Sequence, residues 1–94
     1  MTLQQLKYVS MVERCGSFSK AAQKLYVSQP SVSNLVHALE EELGIVIFQR
    51  SSTGVVITNE GRELLKLSRK LLRDVDYIEE YFHGTVDSGR TSLF

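Results

Sequence analysis

From Leu64 to Phe82 the chain repeats apolar residues at three- and four-residue steps: Leu64, Leu67, Leu71, Val75, Ile78 and Phe82. That pattern is a coiled-coil seam, widened by Leu65, Leu72 and Tyr81. With Thr58 as its cap, such a helix runs for about 25 residues and spans about 40 Å at 1.5 Å per residue. The 94 residues, 43% of them hydrophobic, suit one small core. Packing on its own domain is the plainer reading of an amphipathic helix, but this one outreaches that core, so its length favours a second copy of the chain. A homodimer also supplies what the chain otherwise lacks. Cys15 is the single cysteine, and no Cys/His cluster suggests a structural metal, so neither staple of a small fold is visible.

The residues before the seam divide into three shorter helical patterns. Leu3, Leu6, Val9 (or Met11) and Val12 fall at helical spacing behind Thr2, a plausible N-cap, and ahead of Gly16, a left-handed stop. The first helix is therefore expected over about 3–14. Ser17 caps Phe18-Ser19-Lys20-Ala21-Ala22-Gln23-Lys24-Leu25, whose paired alanines favour helix and let a neighbour approach closely. Ser28 caps a third helix with Pro30 in its first turn, where the missing N–H is not needed. Its stripe is Val32, Leu35, Val36, Leu39 and Leu43, and Gly44 ends it. Two short helices joined by about three residues form a helix-turn-helix.

Next come Ile45–Phe48 and Val55–Ile57, two β-rich runs around the polar, Gly-containing loop 49–54, which predict a hairpin. A hairpin directly after a helix-turn-helix is a wing. In the long helix Glu60 and Glu63 stand near the positive end, and Gly61 replaces the Glu or Gln of a capping box. The expected fold is mainly α: a winged helix-turn-helix of three helices plus a two-stranded β wing over 1–58, then a long linker and dimerisation helix over 59–83. Residues 84–94, with Gly and Ser and no periodicity, read as the start of a linker, and Thr91–Phe94 as a possible first strand beyond it.

Net charge is zero, but it is unevenly spread. Residues 1–39 hold Lys7, Arg14, Lys20 and Lys24 against Glu13, a net +3, whereas 40–94 hold seven cations against ten anions, a net −3. Phosphate binding responds to the local field, so a neutral chain with this asymmetry remains compatible with DNA. No secretory pattern opens the sequence, and no apolar run is long enough to span a bilayer, which makes a cytoplasmic protein without a membrane partner the default expectation.

The residues Gly16-Ser17-Phe18-Ser19-Lys20-Ala21-Ala22 and Leu25-Tyr26-Val27-Ser28-Gln29-Pro30-Ser31-Val32-Ser33 resemble the N-terminal domain of LysR-type transcriptional regulators. So do Ala38-Leu39-Glu40-Glu41-Glu42-Leu43-Gly44, Phe48-Gln49-Arg50 and Thr58-Asn59-Glu60-Gly61. The resemblance covers about residues 1–82 at consistent spacing. It implies a bacterial regulator about three times this length, tetrameric in full and paired through antiparallel long helices, with double-stranded DNA as partner. The target it implies is an interrupted inverted repeat in promoters. It further implies an effector-binding domain beyond residue 94 that senses a small molecule, so no cofactor is expected within these 94 residues. Sequence alone leaves the orientation of helix pairing open. One departure stands out: where the family commonly carries Arg and then a further basic residue three positions on, this chain has Asn34 and His37.

Within that frame the third helix presents its N-terminus to DNA, where the helix dipole favours phosphate. Gln29 suits bidentate reading of an adenine edge, as does Asn34, while Pro30 and Ser31 suit contact with a thymine methyl. Ser33 completes the base-reading set. Lys20, Lys24, Ser28, His37 and Arg50 are placed on phosphates, and Thr53 at the wing tip on the minor groove or its backbone. Each has a plainer reading. Ser28 is first a cap, His37 a surface residue, and Arg50 a partner for Glu40 or Glu42. Tyr8, Phe18, Leu25, Val32 and Phe48 are expected in the core.

An enzyme is not expected. His37 and His83 are the only histidines, no carboxylate or Cys set accompanies them at metal spacing, and Asp74 and Asp76 at i, i+2 do not face each other. Gly44, Gly54 and Gly61 are too scattered for a phosphate loop. Cys15 shows no adjacent basic cluster in the sequence to make it reactive. Two other readings remain. One is a winged helix that docks protein, which would expose aromatic or aliphatic anchors where the third helix begins. The other is a winged-helix repressor outside the LysR type, which would lack the seam at this position.

Overall fold

The structure is a computed structural model and describes residues 1–83; the expectations for 84–94 lie outside the described residues. Four helices and one hairpin follow in the order α1 (Leu3–Cys15), α2 (Phe18–Leu25), α3 (Gln29–Leu43), β1 (Phe48–Ser51), β2 (Gly54–Ile57) and α4 (Asn59–Phe82). This is a winged helix-turn-helix followed by a long helix.

The caps set the first three helices. Thr2 Oγ1 accepts the Gln5 N–H at 3.1 Å while Gln5 Oε1 accepts the Thr2 N–H at 2.8 Å, a reciprocal capping box. Gly16, at φ 68°, ends α1 one residue later than expected. Ser17 Oγ accepts the Lys20 N–H and starts α2. The stop of α2 is Tyr26, which adopts the left-handed φ of 59° without being glycine. Val27 N–H then bonds Ala22 O at 3.1 Å, closing the turn. The left-handed backbone at Tyr26 redirects the chain into α3 within three residues.

Leu6, Val9, Val12, Ala21, Val32, Val36 and Leu39 form the centre of the core where α1, α2 and α3 meet. Tyr8, Phe18 and Phe48 are also buried, and Leu25 is partly buried against them. Phe18 and Phe48 meet edge to face, ring centroids 5.8 Å apart, which fastens the hairpin to α2.

The hairpin differs from the sequence expectation. Its first strand lies over 48–51 rather than 45–48, in antiparallel register with Phe48 opposite Ile57 and Ser51 opposite Gly54. The cause is Glu40. Its Oε2 accepts the N–H of Ile47 at 2.7 Å and of Phe48 at 3.3 Å, and Ile45 N–H bonds Glu40 O at 3.1 Å. Amides committed to the end of α3 cannot pair with a strand, so pairing begins only at Phe48. The β-branched run at 45–47 instead carries Ile47 into the core, fully buried.

Thr58 begins α4 as expected. Its Oγ1 accepts the Gly61 N–H at 2.9 Å and donates to the carbonyl oxygens of Val46 and Ile47. The helix then shows two stripes. Gly61, Leu65 and Ser68 are buried against the body of the domain, with Leu72 half-buried behind them. At Gly61 the approach is so close that a Cβ would stand 2.5 Å from Ile47 O. Leu65 and Leu72, expected to widen the seam, therefore face the chain's own core. Leu64 is half-buried against that core as well, whereas Leu67, Leu71, Ile78 and Phe82 are exposed, 48–66% of each remaining accessible.

Candidate nucleic-acid interface

The start of α3 gathers small polar groups on an open surface. Ser28 Oγ accepts the Ser31 N–H at 3.2 Å, and the two hydroxyls are 2.8 Å apart. Both are thus engaged in the cap, and Ser28 is a cap before it is anything else. The side chains of Gln29, Ser33 and Asn34 have no hydrogen-bond partner among the described residues. Pro30, Ser31 and Asn34 are exposed, and Gln29 and Ser33 partly so. Residues 30, 33, 34 and 37 share one face of α3 at helical spacing, so a single approaching surface reaches all four.

Cations flank this face. Lys20 and Lys24 lie one turn apart on α2, both exposed, and share a cleft with Arg14, Gln23 and Tyr26. Sequence reasoning assigned no role to Arg14 or Tyr26. Twelve residues separate Arg14 from Tyr26, and periodicity carries no signal that they meet. Tyr26 is 94% exposed beside the cap of α3. Cys15 lines the same cleft, so the fold supplies the basic surroundings that the linear sequence around it lacks.

Arg50 does not pair with Glu40 or Glu42. Its guanidinium lies over the Phe18 ring, 5.7 Å from the centroid, which leaves its N–H groups free of carboxylate. Glu42 instead takes the N-terminal ammonium of Met1 at 2.7 Å. His37 is held: its Nδ1 is 3.1 Å from Glu40 Oε1, on the same carboxylate that secures the hairpin. Thr53 stands in the two-residue turn of the hairpin, its N–H 3.4 Å from Ser51 Oγ. The hairpin is tied to the helices a second time by the bond from Val55 N–H to Gly16 O at 3.1 Å. Gly54, at φ 145°, passes so close there that a Cβ would overlap Gly16 O.

No group of three or more His, Cys, Asp or Glu side chains among the described residues is arranged to hold a metal. No described helix is long and apolar enough to cross a membrane.

A capped, exposed recognition helix beside a hairpin wing and a pair of lysines defines a winged helix-turn-helix of the DNA-binding type. Residues 3–62 match the family described as bacterial regulatory helix-turn-helix protein, lysR family, and the chain belongs to that family. It is 37% identical over 93 residues to a RuBisCO operon transcriptional regulator of Allochromatium vinosum, covering 99% of this chain and 31% of that protein. A probable RuBisCO transcriptional regulator of Guillardia theta is 44% identical over 71 residues, 76% of this chain and 23% of that one. The chain thus spans less than a third of these relatives. Among solved structures, it resembles the BenM DNA-binding domain in complex with catB site 1 DNA, with a TM-score of 0.81, 39% identity and 95% of each chain covered. The CbnR DNA-binding domain–DNA complex gives a TM-score of 0.80 at 32% identity, covering 92% of this chain and 99% of that one.

Proposed function

We propose that this chain is the sequence-specific DNA reader of a LysR-type transcription regulator, acting as a homodimer through α4 at an interrupted inverted repeat in promoters. The observation that carries this is the partnerless polar set Gln29, Ser33 and Asn34 on the open face of a capped helix. A soluble domain leaves such groups to water unless something with complementary donors and acceptors takes them, and base edges do. In this reading Gln29, Pro30, Ser31, Ser33 and Asn34 meet bases. Lys20, Lys24, Ser28, His37, Arg50 and Thr53 hold the backbone and fix the register. With Glu40 on its Nδ1, His37 meets a phosphate through Nε2.

The exposed seam supports the dimer. Leu67, Leu71, Ile78 and Phe82 form an exposed apolar stripe, edged by the partly buried Val75 and by Leu64, which also packs on the core. Paired through it, two copies set their recognition helices for half-sites in successive major grooves, about 34 Å apart. Residues 1–58 serve as reader and 59–83 as pairing helix, while 84–94 lead toward an effector-binding domain that would take the small-molecule ligand and complete a cytoplasmic tetramer.

Selection of the chain against random-sequence duplexes at low and moderate salt, with sequencing of the retained DNA, tests the proposal. A two-fold symmetric motif that survives moderate salt is the expected result. Salt-sensitive retention with no motif reduces the chain to a phosphate binder, and no retention at either salt overturns the reading.

A further inference from the structure

Beside the cleft of Lys20 and Lys24, with which it shares Arg14, α1 and α4 border a groove of about 380 Å³ lined by four cations and one anion. Lys7 and Arg14 stand on the α1 side and Arg69 and Arg73 on the α4 side, all four exposed. None of them pairs with a carboxylate or accepts any other partner among the described residues. Between them the floor is apolar: Met11, Leu25 and Leu72, each half-buried. One anion, Asp76, lies at the end of the groove.

The groove is separate from the pairing seam. At about 100° per residue, Arg69 and Arg73 fall on roughly the opposite side of α4 from Leu67, Leu71 and Ile78. A partner helix seated on the seam leaves the groove open. Its composition also differs from that of a phosphate track, because a DNA backbone has no use for three apolar side chains and is repelled by Asp76.

We propose that this groove docks an acidic amphipathic segment of another protein. Apolar side chains of that segment would sit on Met11, Leu25 and Leu72, with its carboxylates reaching Lys7, Arg14, Arg69 and Arg73. The charge complementarity specifies the partner: four cations outnumber the single carboxylate of Asp76 and pair with none among the described residues, and around an apolar floor they suit a helix with an apolar face edged by Asp or Glu. The contact joins a DNA-bound dimer to a second protein without disturbing either the reading face or the seam.

The test uses a fluorescein-labelled peptide of Glu, Leu and Ala, about 16 residues long so that it can form a helix, and the same peptide with Gln for Glu. Polarisation is read for the unaltered chain, for R69E/R73E and for K7E. Saturable binding of the Glu peptide alone, weakened about tenfold or more by R69E/R73E and also by K7E, is the expected result. The selected operator duplex should bind all three proteins within about twofold. No binding of the Glu peptide, or binding indifferent to these substitutions, overturns the proposal. So does displacement of the peptide by operator duplex, which would put it on the reading face. Operator affinity that falls in R69E/R73E would assign the cations to flanking DNA instead, again against the proposal.

Discussion

The carboxylate of Glu40 and the backbone N–H of Ile47 meet at 2.7 Å, joining the last full turn of α3 to the entry of the wing. The same oxygen takes the Phe48 N–H, while the other oxygen faces His37 Nδ1. One side chain thereby positions the wing relative to α3 and orients the His37 imidazole on the same helix.

Replacing Glu40 with Ala leaves two amides of buried residues without an acceptor. The expected loss is about 2–4 kcal/mol, a large share of the stability of a domain this size. Glu40→Gln retains an acceptor oxygen and should lose less. Urea denaturation followed by circular dichroism measures both, and equal losses would show that the amides are not what Glu40 stabilises.

Gly61→Ala pits two effects against each other. Alanine improves helix propensity by about 1 kcal/mol, but its Cβ would stand 2.5 Å from Ile47 O and 2.9 Å from Ile57 Cγ1. Backbone cannot yield as a side-chain tip does, so overpacking wins and the net loss is about 1–3 kcal/mol. A variant that unfolds at the parent urea concentration or above would contradict this packing.

Much of this was legible in advance. Caps at Thr2, Ser17, Ser28 and Thr58, with glycine stops at 16 and 44, mark four helices because each residue has a local reason to sit where the chain turns. The first strand was misplaced because Ile45–Ile47 has β propensity whereas the group that claims its amides, Glu40, acts from the side of a helix. The inward stripe of α4 was hidden for another reason. Gly61 and Ser68 are buried because they are small, and hydrophobic periodicity registers neither. Arg50 over Phe18 and the groove between α1 and α4 depend on distant contacts that no local pattern encodes. The residues proposed to read bases are legible only as groups at the start of α3 that the core does not need.

Gln29→Ala should weaken binding to the selected operator by about 1–3 kcal/mol and relax preference at one base position. Repeating the duplex selection with the variant checks this. Uniform weakening across all sequences would make Gln29 a positioning residue.

Leu71→Glu combined with Ile78→Glu places two carboxylates in the exposed seam, at positions 48% and 56% accessible. Light scattering should give a monomer mass with unchanged helix content, and operator affinity should fall by more than about tenfold as the two half-sites are no longer bound together. A mass still that of a dimer would place the pairing surface elsewhere.

The two stripes of α4 are disjoint: Gly61, Leu65 and Ser68 turn inward, while Leu67, Leu71 and Ile78 turn outward. Natural variation can therefore rewrite the outer stripe without unsettling the domain beneath it. Under the proposed pairing, substitutions confined to the outer stripe would change which chains associate while the reader beneath stays intact, so that related subunits need not mix.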